Sequence, residues 1–354
     1  MNILKLFVIL NLITIINVYA ASGTCGKQCN WNYNEKQFHL KITGSGDMEN
    51  YTSSSSPWND IRLEITSIDV DGISSIGTYA FYNCRKTENI TLHESVKYIH
   101  YNSISLCLKL SQLTMSPNVT ATSEEAIVSS PLLHKLNLIG EGPMRKFSYA
   151  DRAWYSLIDL LQEIHIDERI TTIGDYCFYR CSQLKKINFG NVSYIGEKAF
   201  SFCTKLKTLS IPESVTVMSS DVFRSCYSLE SVVLPDNLQS IPSGSFYNCF
   251  ALKEAQIGKN VKSIDDYAFF NCTTLKSIVV PDNVSRIGKS AFYHCINIAS
   301  VELGKNVQSI ETLAFASNLY LSNITFHSNL TEIGIGSFAW CKSLRHIDLP
   351  DSIE

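Results

Sequence analysis

Hydrophobic positions recur every 23 residues through the C-terminal half of the chain. One column holds phenylalanine, at Phe200, Phe223, Phe246, Phe269, Phe292, Phe315 and Phe338. A second column is aliphatic, at Ile195, Met218, Ile241, Ile264, Ile287, Ile310 and Ile333. A third column holds cysteine, at Cys203, Cys226, Cys249, Cys272, Cys295 and Cys341, with Asn318 in the remaining slot. Three residue columns that share one period indicate a repeat protein.

One repeat unit, residues 272–294, shows what each coil is expected to form. The L-x-x-I-x-V pattern at 275–280 predicts a short strand with its apolar side chains turned inward. Pro-Asp-Asn at 281–283 predicts a turn, because proline fixes φ and Asx residues favour turns. A second extended segment is expected at 284–287, and one helical turn at 291–292. A single unit cannot bury its apolar groups, so the pattern predicts a solenoid of the α/β class with parallel strands about 4.8 Å apart.

An earlier block keeps the same register less strictly. There the phenylalanine column continues as Phe81, Ile104 and Ile127, and the cysteine column as Cys84, Cys107 and Ser130. We therefore expect these coils to be less regular than the later ones.

A second similarity joins the two blocks. Gly-x-Gly-x-Met at 44–48, followed by Trp58, is repeated at 140–144, followed by Trp154, with an offset of 96 residues. The chain thus contains a duplicated larger unit. The predicted division is an N-terminal β cap at 21–63, a first repeat block at 64–139, a second Gly-x-Gly-x-Met…Trp module at 140–163, and a second repeat block at 164–354 that ends within a repeat.

Residues 1–20 are interpreted as a secretory signal peptide. Lys5 is their only charge, an apolar core follows, and Val18-Tyr19-Ala20 places small residues at a cleavage site. The alternative is a membrane anchor, but a transmembrane helix needs about 20 apolar residues and this apolar stretch is shorter. No later segment is apolar enough for a transmembrane helix. Cleavage would change the net charge from −3 to −4, and a near-neutral chain lacks the basic excess that binding to nucleic acid requires.

Glycosylation signals agree with export. The sequence Asn-x-Ser/Thr occurs at Asn50, Asn89, Asn118, Asn191, Asn271, Asn283, Asn323 and Asn329. Any single sequon can be incidental, so we treat these residues as candidates.

The cysteine column changes how the 12 cysteines are interpreted. Most of them fall at one position inside the coil, where small buried thiols are expected in preference to disulfides. Cys25 and Cys29 lie outside the repeats in an exported segment, and we predict a local disulfide between them. Cys177 precedes Cys181 by four residues, and a bond between these two is the remaining alternative.

No constellation of residues points to catalysis or to a cofactor. The eight histidines are scattered, and the sequence has no C-x-x-C, H-E-x-x-H, G-x-S-x-G or phosphate-binding loop. The paired glycines at 44–46 and 140–142 lack the third glycine of a dinucleotide site and are interpreted as turn glycines. We predict that the protein is not an enzyme and binds no metal.

The repeat Cys-x-x-Leu-x-x-Ile-x-x-Pro-x-x-Val-x-x-Ile-Gly-x-x-Ala-Phe resembles the BspA-like leucine-rich repeat family. The Gly-x-Gly-x-Met…Pro57-Trp58 element resembles the module that often precedes those repeats. This resemblance implies a curved leucine-rich repeat solenoid on the surface of bacteria or parasitic protists, often linked to adhesion to host proteins or cells.

The outward side of the first strand is then the expected binding face. The position after the strand's first leucine is basic at Lys185, Lys207, Lys253, Lys276 and Arg345. Such a stripe suits sulfated glycans or acidic proteins, although lysine also keeps an exposed sheet soluble. Glycans at Asn89 or Asn323 would obstruct this face.

The sequence therefore predicts a non-catalytic protein, secreted or on the cell surface, that binds extracellular proteins or cell-surface and matrix glycans. The chain stops partway through a coil at 351–354. That coil is expected to be covered by something outside this chain, to belong to a longer reading frame, or to drive end-to-end self-association. A self-assembling surface coat is therefore the alternative function.

Overall fold

The structure is a computed structural model that describes residues 21–148 and 151–353. The predicted signal peptide at 1–20 lies outside the described residues. The chain winds into stacked coils, each with three sides, and we number its strands β1 to β29 in chain order. The predicted 23-residue leucine-rich repeat solenoid is confirmed by the parallel pairing of strands from successive coils.

The first side, which we call the strand face, contains the longest strands. They are β1 (Ala21–Gly26), β2 (Cys29–Asn34), β3 (His39–Gly44), β4 (Ser67–Asp71), β6 (Asn89–Leu92), β9 (Gln112–Met115), β12 (Lys135–Leu138), β14 (Glu163–Ile166), β16 (Lys186–Asn188), β18 (Thr208–Ser210), β20 (Ser231–Val233), β22 (Glu254–Gln256), β24 (Ser277–Val279), β26 (Ser300–Glu302) and β28 (Asn323–Thr325). Alternate side chains along each strand point into the core and out to solvent.

The second side carries shorter strands. They are β5 (Ser75–Ile76), β7 (Tyr98–Ile99), β10 (Thr120–Ala121), β13 (Gly142–Pro143), β15 (Ile170–Ile173), β17 (Tyr194–Ile195), β19 (Val217–Met218), β21 (Ser240–Ile241), β23 (Ser263–Ile264), β25 (Arg286–Ile287), β27 (Ser309–Ile310) and β29 (Glu332–Ile333). The predicted aliphatic column lies on this side, for example as Ile264 beside Ile287.

The predicted N-terminal β cap is formed by β1 to β3. These strands pair antiparallel, whereas β3 pairs in parallel with β4 and so begins the solenoid ladder. Cys25 and Cys29 form a disulfide at the end of the first hairpin, with 5.0 Å between their Cα atoms. The Tyr51 hydroxyl donates to the Cys25 carbonyl oxygen at 2.9 Å, which ties the next segment to the cap.

The third side, which we call the turn edge, differs from the sequence prediction. The predicted helical turn is absent, and residues 289–294 form successive tight turns in which Ser290 and His294 have φ of 51° and 58°. Every second amide donates to the next coil, as Phe292 N does to the Ala314 carbonyl at 2.7 Å. The helix that the described residues do contain is a 3-10 turn at Tyr155–Leu157. The phenylalanine amide therefore forms a hydrogen bond to the next coil, whereas in a helix it would form one within its own coil.

The phenylalanine column forms the predicted interior spine. Consecutive rings from Phe178 to Phe338 stack with centroid distances of 5.1–5.8 Å. Each such pair contributes about 0.5–1.5 kcal/mol beyond the burial of the rings. Trp154 begins this stack against Phe178, and Trp58 stacks on Phe81 in the same way.

The cysteine column consists of buried free thiols, as the spacing predicted. Most of these thiols donate to the carbonyl oxygen of the phenylalanine-column residue in the preceding coil, as Cys272 Sγ does to Phe246 at 3.2 Å. The same bond is made by Cys107, Cys203, Cys226, Cys249, Cys295 and Cys341. Cys177 and Cys181 are also free, so the alternative of a bond between them is wrong.

Both Gly-x-Gly-x-Met…Trp modules are longer coils of the same solenoid. His39 pairs with Ser67 across the first module and Lys135 with Glu163 across the second, so each step spans 28 residues. The Trp58 and Trp154 indoles donate to the carbonyls of Ala80 and Cys177, at 2.8 and 3.0 Å. The ladder of the strand face therefore continues through the second module.

Candidate interaction surface

The strand face is an extended, mostly polar surface. Its outward positions on the central strands are Gln112, Thr114, Lys135, Asn137, Glu163, His165, Lys186, Asn188, Thr208 and Ser210. The inward neighbours of these residues are buried aliphatic side chains, such as Leu136 and Ile164, and these fix the direction of the outward ones. A ligand that lies on the face therefore meets regularly spaced polar groups.

Four residues of the predicted basic stripe have similar places in the fold. Lys185, Lys207, Lys253 and Lys276 are exposed, and each directly precedes a strand of the face. Arg345 is also exposed, but within residues 334–353 the described chain forms no strand. Four of the five residues of the stripe therefore lie beside a strand of the face, and Arg345 does not.

Two of these lysines are engaged by neighbouring side chains. Lys253 forms an ion pair with Glu230 at 2.7 Å, and this contact lowers the pKa of the Glu230 carboxyl. Lys185 Nζ donates to Gln162 Oε1 at 2.9 Å, which leaves the lysine charge uncompensated. Lys207 and Lys276 make no side-chain hydrogen bond or ion pair within the described residues. The positive charge is therefore reduced at Lys253 and retained at Lys185, Lys207 and Lys276.

Two further lysines belong to this surface and were missed by the repeat pattern. Lys135 and Lys186 both lie directly beside Glu163, on β12 and β16, in the register of the ladder. Lys135 precedes the 28-residue coil, which displaces it from the 23-residue columns. Alignment of the L-x-L and I-x-I strand patterns on either side of that coil is the signal that identifies it.

The ladder opens at two places, between β16 and β18 and between β22 and β24, where consecutive strands belong to different sheets. The first opening coincides with a short step of 22 residues from Cys181 to Cys203. Beside the second, a cavity of about 480 Å³ is lined by Lys253 and Val279. A neighbouring cavity of about 610 Å³ shares Val279 and extends to His327. These form a shallow trough, with a partly apolar floor, on the later coils.

The glycosylation candidates are unevenly distributed around the solenoid. Asn89 and Asn323 are exposed first residues of β6 and β28, on the strand face. The other candidates lie outside strands, at Asn50, Asn118, Asn191, Asn271, Asn283 and Asn329. Asn271 is half-buried, and its amide donates to Asn248 Oδ1 at 2.9 Å.

The geometry offers little for catalysis or metal binding. Within 21–148 and 151–353, no three His, Cys, Asp or Glu side chains are grouped to hold a metal ion. Glu94 and Glu141 line one cavity of about 350 Å³, but both are exposed and Glu94 is paired with Arg169 at 3.0 Å. Burial raises the pKa of the Cys107 and Cys226 thiols to about 12, which disfavours the nucleophilic thiolate.

No helix in the described part of the chain combines the length and the apolar character that crossing a membrane requires.

The chain matches the family model described as the BspA type leucine-rich repeat region. The match comprises six copies, over residues 59–142, 150–276 and 262–354. No curated protein matches the chain.

Several solved structures are similar to the chain. A leucine-rich repeat protein from Bacteroides ovatus is 24% identical with a TM-score of 0.59, and the match covers 90% of this chain and 92% of that one. A leucine-rich cell surface protein from Faecalibacterium prausnitzii is 20% identical with a TM-score of 0.41, covering 94% and 89%. The first of these matches, with its TM-score of 0.59, supports the fold of the chain.

Proposed function

Because the chain belongs to the BspA-type leucine-rich repeat family, we propose that it is a non-catalytic binding protein that engages extracellular macromolecules through its strand face. The observation that carries this proposal is the strand face itself. Outward polar side chains are presented at fixed spacing along successive coils, above a continuous buried core. Surfaces of this kind are what solenoid proteins use for binding.

The proposed location is the cell surface or the extracellular medium. Three features support it: the signal-peptide pattern at 1–20, the eight candidate sequons, and the Cys25–Cys29 disulfide, which suits an oxidising compartment. One solved relative is named a cell surface protein. Adhesion to host or neighbouring cells is the role that we propose for this location.

A glycan introduced on the strand face tests the proposal. The double substitution Ser231→Asn and Val233→Thr creates a sequon whose asparagine points outward from β20. In the matched control, Gln239→Thr completes a sequon at Asn237, an exposed turn residue of the same coil. Both proteins are expressed by a glycosylating host, and occupancy is verified by peptide mapping.

We expect the strand-face glycan to weaken binding to matrix-coated surfaces and whole cells by about tenfold or more, because it excludes the partner sterically. The control glycan is expected to leave binding unchanged. Equal binding by both glycoproteins, with full occupancy, would place the interaction on another side of the solenoid.

A further inference from the structure

The charge on the strand face changes sign along the solenoid. The early coils present Asp69 and Asp71 on β4 and Glu88 directly before β6. The coils that follow present four lysines, at Lys135, Lys185, Lys186 and Lys207. We call these four residues the basic patch. Glu163 is the acidic residue on the strands between them, so the patch retains a net positive charge.

The floor of the basic patch is polar. Asn137, Asn188, Thr208 and Ser210 occupy the remaining outward positions of β12, β16 and β18. The cavity at the patch is only about 120 Å³ and contains no exposed apolar side chain. Most peptide-binding surfaces include apolar or aromatic anchors that fill pockets, and the patch offers none. Hydroxyl and amide groups beside point charges instead suit a hydroxylated, anionic chain.

The candidate sequons on the strand face lie outside this region, and Asn191, the nearest candidate along the chain, is in the turn after β16. The candidate sequons on the strand face are at Asn89 and Asn323, on β6 and β28, while the patch lies on the coils from β12 to β18. The trough beside Val279 is also outside the patch, since it involves β22 to β28.

We propose that the basic patch binds an anionic polysaccharide through the sulfate or carboxylate groups of its sugars. The inference rests on the proposed function and assigns it a ligand class and a location. The lysines supply charge, and the asparagine and hydroxyl side chains between them form hydrogen bonds to sugar hydroxyls. Lys253, Lys276 and Arg345 lie outside the patch and take no part.

The test compares two charge reversals in the same column. Lys185→Glu with Lys207→Glu alters the basic patch, and Lys253→Glu with Lys276→Glu alters the later coils by the same charge. All four side chains are exposed, so both variants are expected to fold, which thermal unfolding verifies. The probe is a fully sulfated glycosaminoglycan hexasaccharide, measured by calorimetry with the whole mature chain at low and high salt.

We expect the patch variant to bind the hexasaccharide about tenfold or more weakly, the control variant to bind within about twofold of the parent, and salt to weaken all binding. Equal losses in the two variants, salt-insensitive binding, or binding of poly-glutamate but not of the hexasaccharide would each overturn the proposal. Retention of cell and matrix binding by the patch variant would reject this inference and leave the proposed function intact.

Discussion

The two stretches that begin with a tryptophan differ in how far the aromatic spine extends. Trp58 stacks on Phe81, but the next two coils place Ile104 and Ile127 in the same column, and the stack ends. The stack that begins at Trp154 instead continues in every coil that follows. The same starting module thus leads into a short spine and a long one.

The backbone of the turn edge changes little between the two kinds of coil. Where isoleucine occupies the column, the turn edge contains a short parallel strand pair, β8 (Ile104–Ser105) and β11 (Ile127–Val128). Left-handed residues still flank the column there, as Asn102 and Leu106 do around Ile104 with φ of 50° and 55°. The two blocks therefore differ mainly in the aromatic stacking of the column.

The largest expected effect comes from removal of a ring in the long spine. Phe246→Ala deletes stacking with both Phe223 and Phe269 and leaves a cavity, so it should lower the free energy of unfolding by about 3–5 kcal/mol. Ile104→Ala, which breaks no stack, is the matched change in the first block and should cost less. Urea unfolding measures both, and an equal or larger loss for Ile104→Ala would contradict the role assigned to stacking.

Thiol labelling tests the difference between the two repeat blocks without any mutation. Cys84 and Cys107 in the first block and Cys226 and Cys249 in the second are all fully buried, so a thiol reagent reacts only after local opening. We expect the first pair to be alkylated several-fold faster in the native protein, because their coils lack the continuous spine. Mass spectrometry of timed samples gives the order. Uniform labelling would indicate that the two blocks open as one unit.

The smallest expected effect is a stabilisation within the second block. Asn318 replaces cysteine, and its buried amide has no hydrogen-bond partner among the described residues. Asn318→Cys should restore a thiol bond to the Phe292 carbonyl and remove the unpaired amide, adding about 1–2 kcal/mol. Ser130→Cys is the control in the first block, where Ser130 Oγ already donates to Val128 at 3.4 Å. A loss of stability at Asn318→Cys would show that the amide is needed.

Most of the architecture was predictable because one period fixes three buried columns at once. The phenylalanine spine and the free thiols at Cys226 and Cys249 follow from that register, whereas the cap was predicted from the Gly-x-Gly-x-Met…Trp module outside the repeats. The predicted helical turn was wrong because Ala291 and Phe292 tolerate a helix locally, while the Phe292 amide donates to the Ala314 carbonyl of the next coil. That competition is a tertiary effect, and the sequence of a single unit contains no trace of it.

The interaction surface was predictable only in part. Column spacing located Lys185 and Lys207, but it treated Lys253 as equivalent to them. The neighbour that neutralises Lys253 is Glu230, in the same column one coil earlier, and only the side-chain conformations show that the two meet. Lys135 was missed because a longer coil interrupts the period.

The turn edge also gives the solenoid an electrical direction. Ser290, Phe292 and His294 all donate their amides to carbonyls of the following coil, and the equivalent amides of that coil donate onward. Peptide dipoles aligned head to tail add, as they do in an α-helix. The turn edge therefore carries an axial dipole whose positive pole faces the later coils, a property that the strands on the other sides, with alternating amides, do not share.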